Sequence, residues 1–380
     1  MTIRTARILI AASLVLAMSS AALASPAEVI NNFAFNAAGL LGRTEGSWFF
    51  SPFSIISAFG MAYAGAGGET AAEIERALGF TQGLHEDLRE LARDLSMGGY
   101  LSSANRVWLS KGLKLNAAYQ DNMLMYYGST AKELDIKGKT EASRKAINDW
   151  VSKKTNGKIP TLLNTLDPSA RMIITNAVYF KAKWQHVFDK SRTAPEKFRD
   201  GERVTEVPMM KKQDDLMFGE FDGVKVVNIP YDGRRISFIA VLPPEGEKPA
   251  GLDAETFRGW TEALSKHDVD LWLPKFRTEG SYEMAGVFKA LGVKLAFSDE
   301  ADFSGIAKDE GLKADAVLHK TFIDVDEEKT EAAAATGMVM LGATMMKTTP
   351  KAEFHADRPF TYFIWDSWTG SILFMGRQTF

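Results

Sequence analysis

The chain has 380 residues and no cysteine, which excludes disulfides and thiolate chemistry and leaves its stability to packing. Histidine is scarce: His85, His186, His267, His319 and His355 are spread out without metal-ligand spacing, so no metal centre is expected. Net charge is only −3 with both signs mixed, which gives no electrostatic footprint for nucleic acid. The clusters Lys211-Lys212 and Lys153-Lys154 with Lys158 read as solvated faces within that acidic balance, not as a polyanion site. Enzyme signatures are missing too. There is no G-x-S-x-G elbow, no G-x-x-x-x-G-K-S/T, no H-E-x-x-H and no G-x-G-x-x-G opening a helix. A Ser-His-Asp triad leaves no fixed order in a sequence, so that one arrangement stays open. No Pro/Ser/Gly-rich linker divides the chain, and no apolar run reaches the roughly 20 residues of a spanning helix, so no membrane partner is expected.

What is present begins with an export signal. Arg4 and Arg7 precede an apolar stretch from Ile8 to Met18, and Ala22-Leu23-Ala24 supply small residues before Ser25. This order predicts removal of residues 1–24 and delivery to a periplasm or the extracellular space.

Helix patterns fall early and in the middle. Thr70 to Leu78 reads as a helix stopped by Gly79, and Thr140 to Asn156 carries Ile147, Trp150 and Val151 on one face. Ser281 is placed to cap a helix whose Met284, Val287, Phe288 and Leu291 share a stripe. Strand-like runs lie at 177–180, 226–231, 235–243, 268–276, 361–366 and 371–376. Because the two patterns do not alternate regularly, the expected class is α+β.

The segment "EEKTEAAAATGMVMLGATMMKTTP", Glu327 to Pro350, fits neither class well. Glu331 to Ala335 favours helix, but Thr336, Gly337, Val339, Gly342 and Thr344 continue it poorly and Pro350 ends it. With a period of two, Thr330, Ala332, Ala334, Thr336, Met338 and Met340 share one side and are small, then apolar. That is the composition of a segment able to be a loop in one state and a buried strand in another.

This segment resembles the proximal hinge and reactive-centre loop of the serpins, and the resemblance extends over the chain from Ser25 onward. "FFSPFSIISAFGMAYAGAGGETAAEI" (49–74), "ITNAVYFKAKWQHVF" (174–188), "VPMM" (207–210), "LPKF" with "ALGV" and "FSDEADFSGI" (273–306), "LHKTFIDVDEE" (318–328) and "FHADRPFTYFIWDSWTGSILFMGR" (354–377) occur in the family's order.

The resemblance implies one domain, residues 25–380, with three sheets, about nine helices around them and an exposed loop at about 327–350. It implies a monomer that is a protease inhibitor and not an enzyme, needs no cofactor, and has a serine protease as its covalent partner. The protease cuts the loop, an acyl-enzyme forms, and the cut loop enters the main sheet as an extra strand. Fourteen inserted residues would carry the protease about 46 Å at about 3.3 Å each.

By the same resemblance the hinge is Glu327, Glu328, Lys329, Thr330, Glu331, Ala332, Ala333, Ala334, Ala335 and Thr336. Ser51, Ser54, Asn176 and His319 match the shutter, with His319 expected to bond to Asn176 and to Ser51 or Ser54. Trp184 matches the breach. Counting sixteen residues on from Glu327 puts the reactive bond between Ala343 and Thr344, with Met345 or Met346 as alternatives. Alanine there suits an elastase-like enzyme, and methionine a chymotrypsin-like or subtilisin-like one.

Two positions depart from the family pattern. Lys329 stands where inhibitory members commonly have glycine, which is expected to lower trapping efficiency, and Ser47 stands where many have asparagine. A non-inhibitory carrier, or a serpin cleaved only as a substrate, is the alternative function.

Overall fold

The computed structural model describes residues 24–43, 46–247, 252–308, 311–330 and 349–380. The expected signal segment up to residue 23 and the loop residues from 331 to 348 therefore lie outside the described residues.

Helices crowd the first part of the chain, where their end signals are strongest. Helix α1 (Pro26–Leu41) starts with a capping box in which the Glu28 amide donates to Ser25 Oγ and the Ser25 amide to the Glu28 carboxylate. Ser51 caps α2 (Pro52–Tyr63), and α3 (Gly68–Leu78) stops at Gly79, whose φ of 71° is the left-handed turn that favours glycine. There follow α4 (Leu84–Met97), α5 (Ala117–Tyr127), α6 (Thr140–Lys154), α7 (Ala254–Ala263) and α8 (Ala285–Ala290). The described residues thus hold eight α-helices, against about nine expected.

Strands dominate later: β1 (Trp48–Phe50), β2 (Leu101–Ser110), β3 (Lys132–Leu134), β4 (Met172–Phe180), β5 (Ala182–Lys183), β6 (Ala194–Asp200), β7 (Arg203–Phe221) and β8 (Val224–Pro230). They continue with β9 (Ile236–Leu242), β10 (Ser265–Pro274), β11 (Phe276–Glu283), β12 (Ala316–Val325), β13 (Lys329–Thr330), β14 (Lys351–His355), β15 (Phe360–Asp366) and β16 (Ser371–Gln378). Among the described residues these form three sheets. One runs β1-β16-β15-β9-β8-β7-β10-β14 with β6 beside β7, one runs β11-β12-β4-β2-β3, and the third is the pair β13-β5.

Two sequence expectations need correction. Ser281 caps no helix: it lies in β11, paired with Lys320, and α8 starts only at Ala285 without a side-chain cap. The ladder to β12 runs through Glu283 and outcompetes the helical pattern there, while Met284, Val287 and Phe288 still point into the core. The run 268–276 is also not one strand. It breaks at Lys275, whose amide donates to Pro208 O at 2.8 Å, so β10 joins one sheet and β11 the other.

The core lies between these sheets. Every residue of α2 is buried, with β2 and β4 on one side and β16 on the other. β9 is buried at all positions, and Phe374 of β16 stacks on Phe49 at 5.2 Å and meets Phe180 of β4 edge-on at 5.7 Å. The sheets approach closely where β11 passes β1: a Cβ at Gly280 would sit 2.0 Å from Phe49 O, so only glycine fits.

Candidate functional site

Two of the joins in the five-stranded sheet are parallel, β2 with β3 at its edge and β12 with β4 at its centre. β12 runs alongside β4 in register from Ala316↔Ile173 to Phe322↔Tyr179. Beyond that point the two strands no longer pair, and the chain after β12 turns back, so that Lys329–Thr330 pair antiparallel with Lys183–Ala182. β13 therefore sits at the top of a gap between β12 and the continuation of β4.

Halfway down the join, His319 and Asn176 are register partners, and Asn105 of β2 is opposite Asn176 on its other side. His319 and Asn176 are buried, and Asn105 is half-buried. The Ser51 amide donates to His319 Nε2 at 3.1 Å, so the ring proton is on Nδ1 and is donated to Asn176 Oδ1. Asn176 Nδ2 donates to Ser54 Oγ at 2.6 Å and to Asn105 Oδ1. Ser51 Oγ donates to Leu373 O at 2.7 Å and accepts from the Ser54 amide at 3.2 Å. The Tyr282 ring lies over the imidazole at 6.1 Å. Burial pushes the His319 pKa down to about 3, so the ring is neutral at ordinary pH. The four residues named from the sequence thus come together, and Asn105, which the sequence reading missed, completes the network.

At the top of the gap, Trp184 is 2 % exposed and stacked on Tyr231 at 4.6 Å. Its indole donates to Asp326 O at 2.8 Å, its amide to Glu328 O at 3.3 Å, and the Phe188 amide donates to Glu327 O at 2.8 Å. The side chains add to this hold. Glu327, only 5 % exposed, accepts from Thr193 Oγ1 at 2.9 Å and from Lys275 Nζ at 2.7 Å, while Glu328 pairs with Lys190. Burial works against the Glu327 carboxylate, but the hydrogen bonds from Lys275 and Thr193 outweigh it and hold its pKa below the usual range. Thr193, Lys275 and Lys190 carry no local signal in the sequence, because each meets the hinge only through tertiary folding.

Glu331, Ala332, Ala333, Ala334, Ala335, Thr336, Ala343, Thr344, Met345 and Met346 lie outside the described residues. Residues 28–379 match the family model described as serpin (serine protease inhibitor). The chain belongs to the serpin family. An uncharacterised serpin-like protein of Thermococcus kodakarensis is 39% identical to this serpin over 92% of the chain and 84% of its own length. The leukocyte elastase inhibitor of Bos taurus is 36% identical over 87% and 92% respectively. Among solved structures, human thyroxine-binding globulin complexed with thyroxine superimposes with a TM-score of 0.83 at 29% identity, covering 93% of this chain and 97% of its own. The architecture is the serpin fold, and the family is one of protease inhibitors, not of enzymes.

Proposed function

We propose that this serpin is an exported suicide-substrate inhibitor of serine endopeptidases, elastase-like or chymotrypsin-like and subtilisin-like, that traps its acyl-enzyme by loop insertion. The observation that carries the proposal is the hinge pairing. Lys329–Thr330 already run antiparallel to Lys183–Ala182 at the mouth of the gap beyond the parallel join of β4 and β12. A loop continuing in that direction would enter between them with satisfied backbone bonds on both sides. The small residues from Ala332 to Thr336 suit a strand that must be buried.

The network of Ser51, Ser54, Asn176 and His319 acts in this reading as the shutter. Its hydrogen bonds can be exchanged for others as β4 and β12 part, where a packed apolar seam would resist. Trp184 serves at the breach, where insertion starts. Ala343–Thr344 is the preferred reactive bond, and similarity to a protein named leukocyte elastase inhibitor supports an elastase-like target. Export is supported by Ser25, the cap of the first helix, following the expected cleavage site directly.

The test is incubation with elastase, chymotrypsin, subtilisin and trypsin. A covalent complex that survives denaturant is expected, with the cut between Ala343 and Thr344 by mass spectrometry. Cleavage without complex would instead favour the alternative, a carrier or a serpin cleaved only as a substrate. Lys329→Gly is expected to lower the number of inhibitor molecules consumed per protease trapped. An unchanged ratio would remove Lys329 as the cause of inefficient trapping.

A further inference from the structure

The segment that holds the hinge is itself held from β7. Lys211 and Lys212 are adjacent in sequence but point to opposite faces of that strand. Lys211 Nζ lies 3.8 Å above the Trp272 ring and pairs with Glu196. Lys212 turns inward and is only 7 % exposed, a position lysine rarely occupies without partners. Its Nζ is 2.9 Å from Asp214 Oδ2, donates to His186 O at 2.8 Å and lies 4.6 Å over the Phe188 ring. Asp214 Oδ1 is 2.8 Å from His186 Nδ1. The cluster therefore grips residues 186–188 by one backbone carbonyl, one imidazole and one ring. Burial pushes the Lys212 ammonium below the usual lysine range, and Asp214 works in the other direction to keep it charged.

The same three residues lead to the hinge. The Phe188 amide holds Glu327 O, and the Phe188 ring meets Trp184 edge-on at 5.9 Å. Trp184 in turn holds Asp326 and Glu328. We propose that Lys212, Asp214 and His186 form a positioning cluster that sets how readily residues 326–330 leave the top of the gap between β4 and β12. It deepens the trapping reading and rests on it for its biological consequence, since hinge release then competes with hydrolysis of the acyl bond. Without Asp214, the Lys212 ammonium would be left buried with a carbonyl and a ring alone, and would have to lose its proton or swing out. Either outcome frees the 186–188 segment.

The test uses uptake of a synthetic peptide of residues 330–343 by the intact protein. Because β13 occupies the top of the gap, the peptide fills it only after Lys329 and Thr330 have moved. Asp214→Asn is expected to speed uptake about tenfold, and Lys212→Met to act in the same direction. The methionine keeps the packing on Phe188 and carries the test if Asp214→Asn does not fold. A control, Ile74→Val, removes one buried methyl from α3 and reports what general destabilisation does to uptake. If folded Lys212→Met takes up peptide at the wild-type rate, or if the control matches its acceleration at an equal drop in melting temperature, the proposal is overturned. The peptide measurement needs no protease. Failure of the wild-type chain to form a covalent complex would refute the trapping reading and leave this measurement standing.

Discussion

Two regions of this molecule are equally buried but built differently. Around β9, β15 and β16 the contacts are aromatic and aliphatic: Phe49 on Phe374, and Phe238 on Tyr362 at 5.3 Å. Along the join of β4 and β12, equally buried, sit Asn176, His319, Thr175 and Thr321, with Ser51 and Ser54 beneath them. Packing of the first kind is lost all at once when its partners separate, because dispersion falls off steeply with distance. Hydrogen bonds of the second kind are directional and can be traded one for another. In the proposed trapping mechanism the first kind of packing is the frame and the second is the seam that would open.

The contrast is broken most severely from the frame side. Phe374→Ala removes a fully buried ring and is expected to cost about 3–5 kcal/mol, read as a lowered denaturant midpoint of both uncleaved and loop-cleaved protein. An unchanged midpoint in the cleaved form would mean that β16 is not part of a common frame.

The next effect belongs to the seam and depends on pH. His319 has its pKa lowered from 6.5 to about 3 by burial. The unfolded chain takes up a proton below pH 6.5 that the folded chain refuses, so stability present above that value is lost as pH falls towards 3. The loss approaches about 1.4 kcal/mol per pH unit for this one group. His319→Gln should remove that part of the slope, and the difference in urea midpoint between wild type and variant, followed from pH 7 to 4, measures it. Parallel curves would show that His319 does not titrate in this way.

The smallest effect is at the hinge. Lys275→Met leaves Glu327 without its cation, but Lys275 is 36% exposed at its side chain and solvent screens part of the pair. A loss of about 1 kcal/mol is expected, together with faster uptake of the loop peptide. A larger stability loss than that of Phe374→Ala would invert the division between frame and seam.

These regions were not equally legible in the sequence. The alternation and apolar runs of 226–231, 235–243, 361–366 and 371–376 give their strands directly, because a strand's side chains report its two faces locally. Lys275 is different. Nothing near it marks the break between β10 and β11, which is imposed by Pro208 accepting its amide from another strand. Ser281 misleads for a similar reason, since an available cap loses to a ladder whose partner, β12, begins 35 residues later. The seam is legible only through the family resemblance, which points to Asn176 and His319 but not to Asn105. The Lys212 cluster is hidden altogether: the pair Lys211-Lys212 reads as a solvated face, and the structure corrects this because the strand turns Lys212 inward.

The pairing of β1 with β16 has a consequence for how the chain is made. Residues 48–50 form their ladder with residues 375–377, so β1 cannot pair until β16 has been made. Until then Phe49 and Phe50 have no partner strand, and the frame cannot close. Contacts of such long sequence separation slow folding because the intervening loop must be ordered first. The largest sheet therefore closes only once β16 is available, and loss of that strand would leave the aromatic residues of β1 exposed to aggregation.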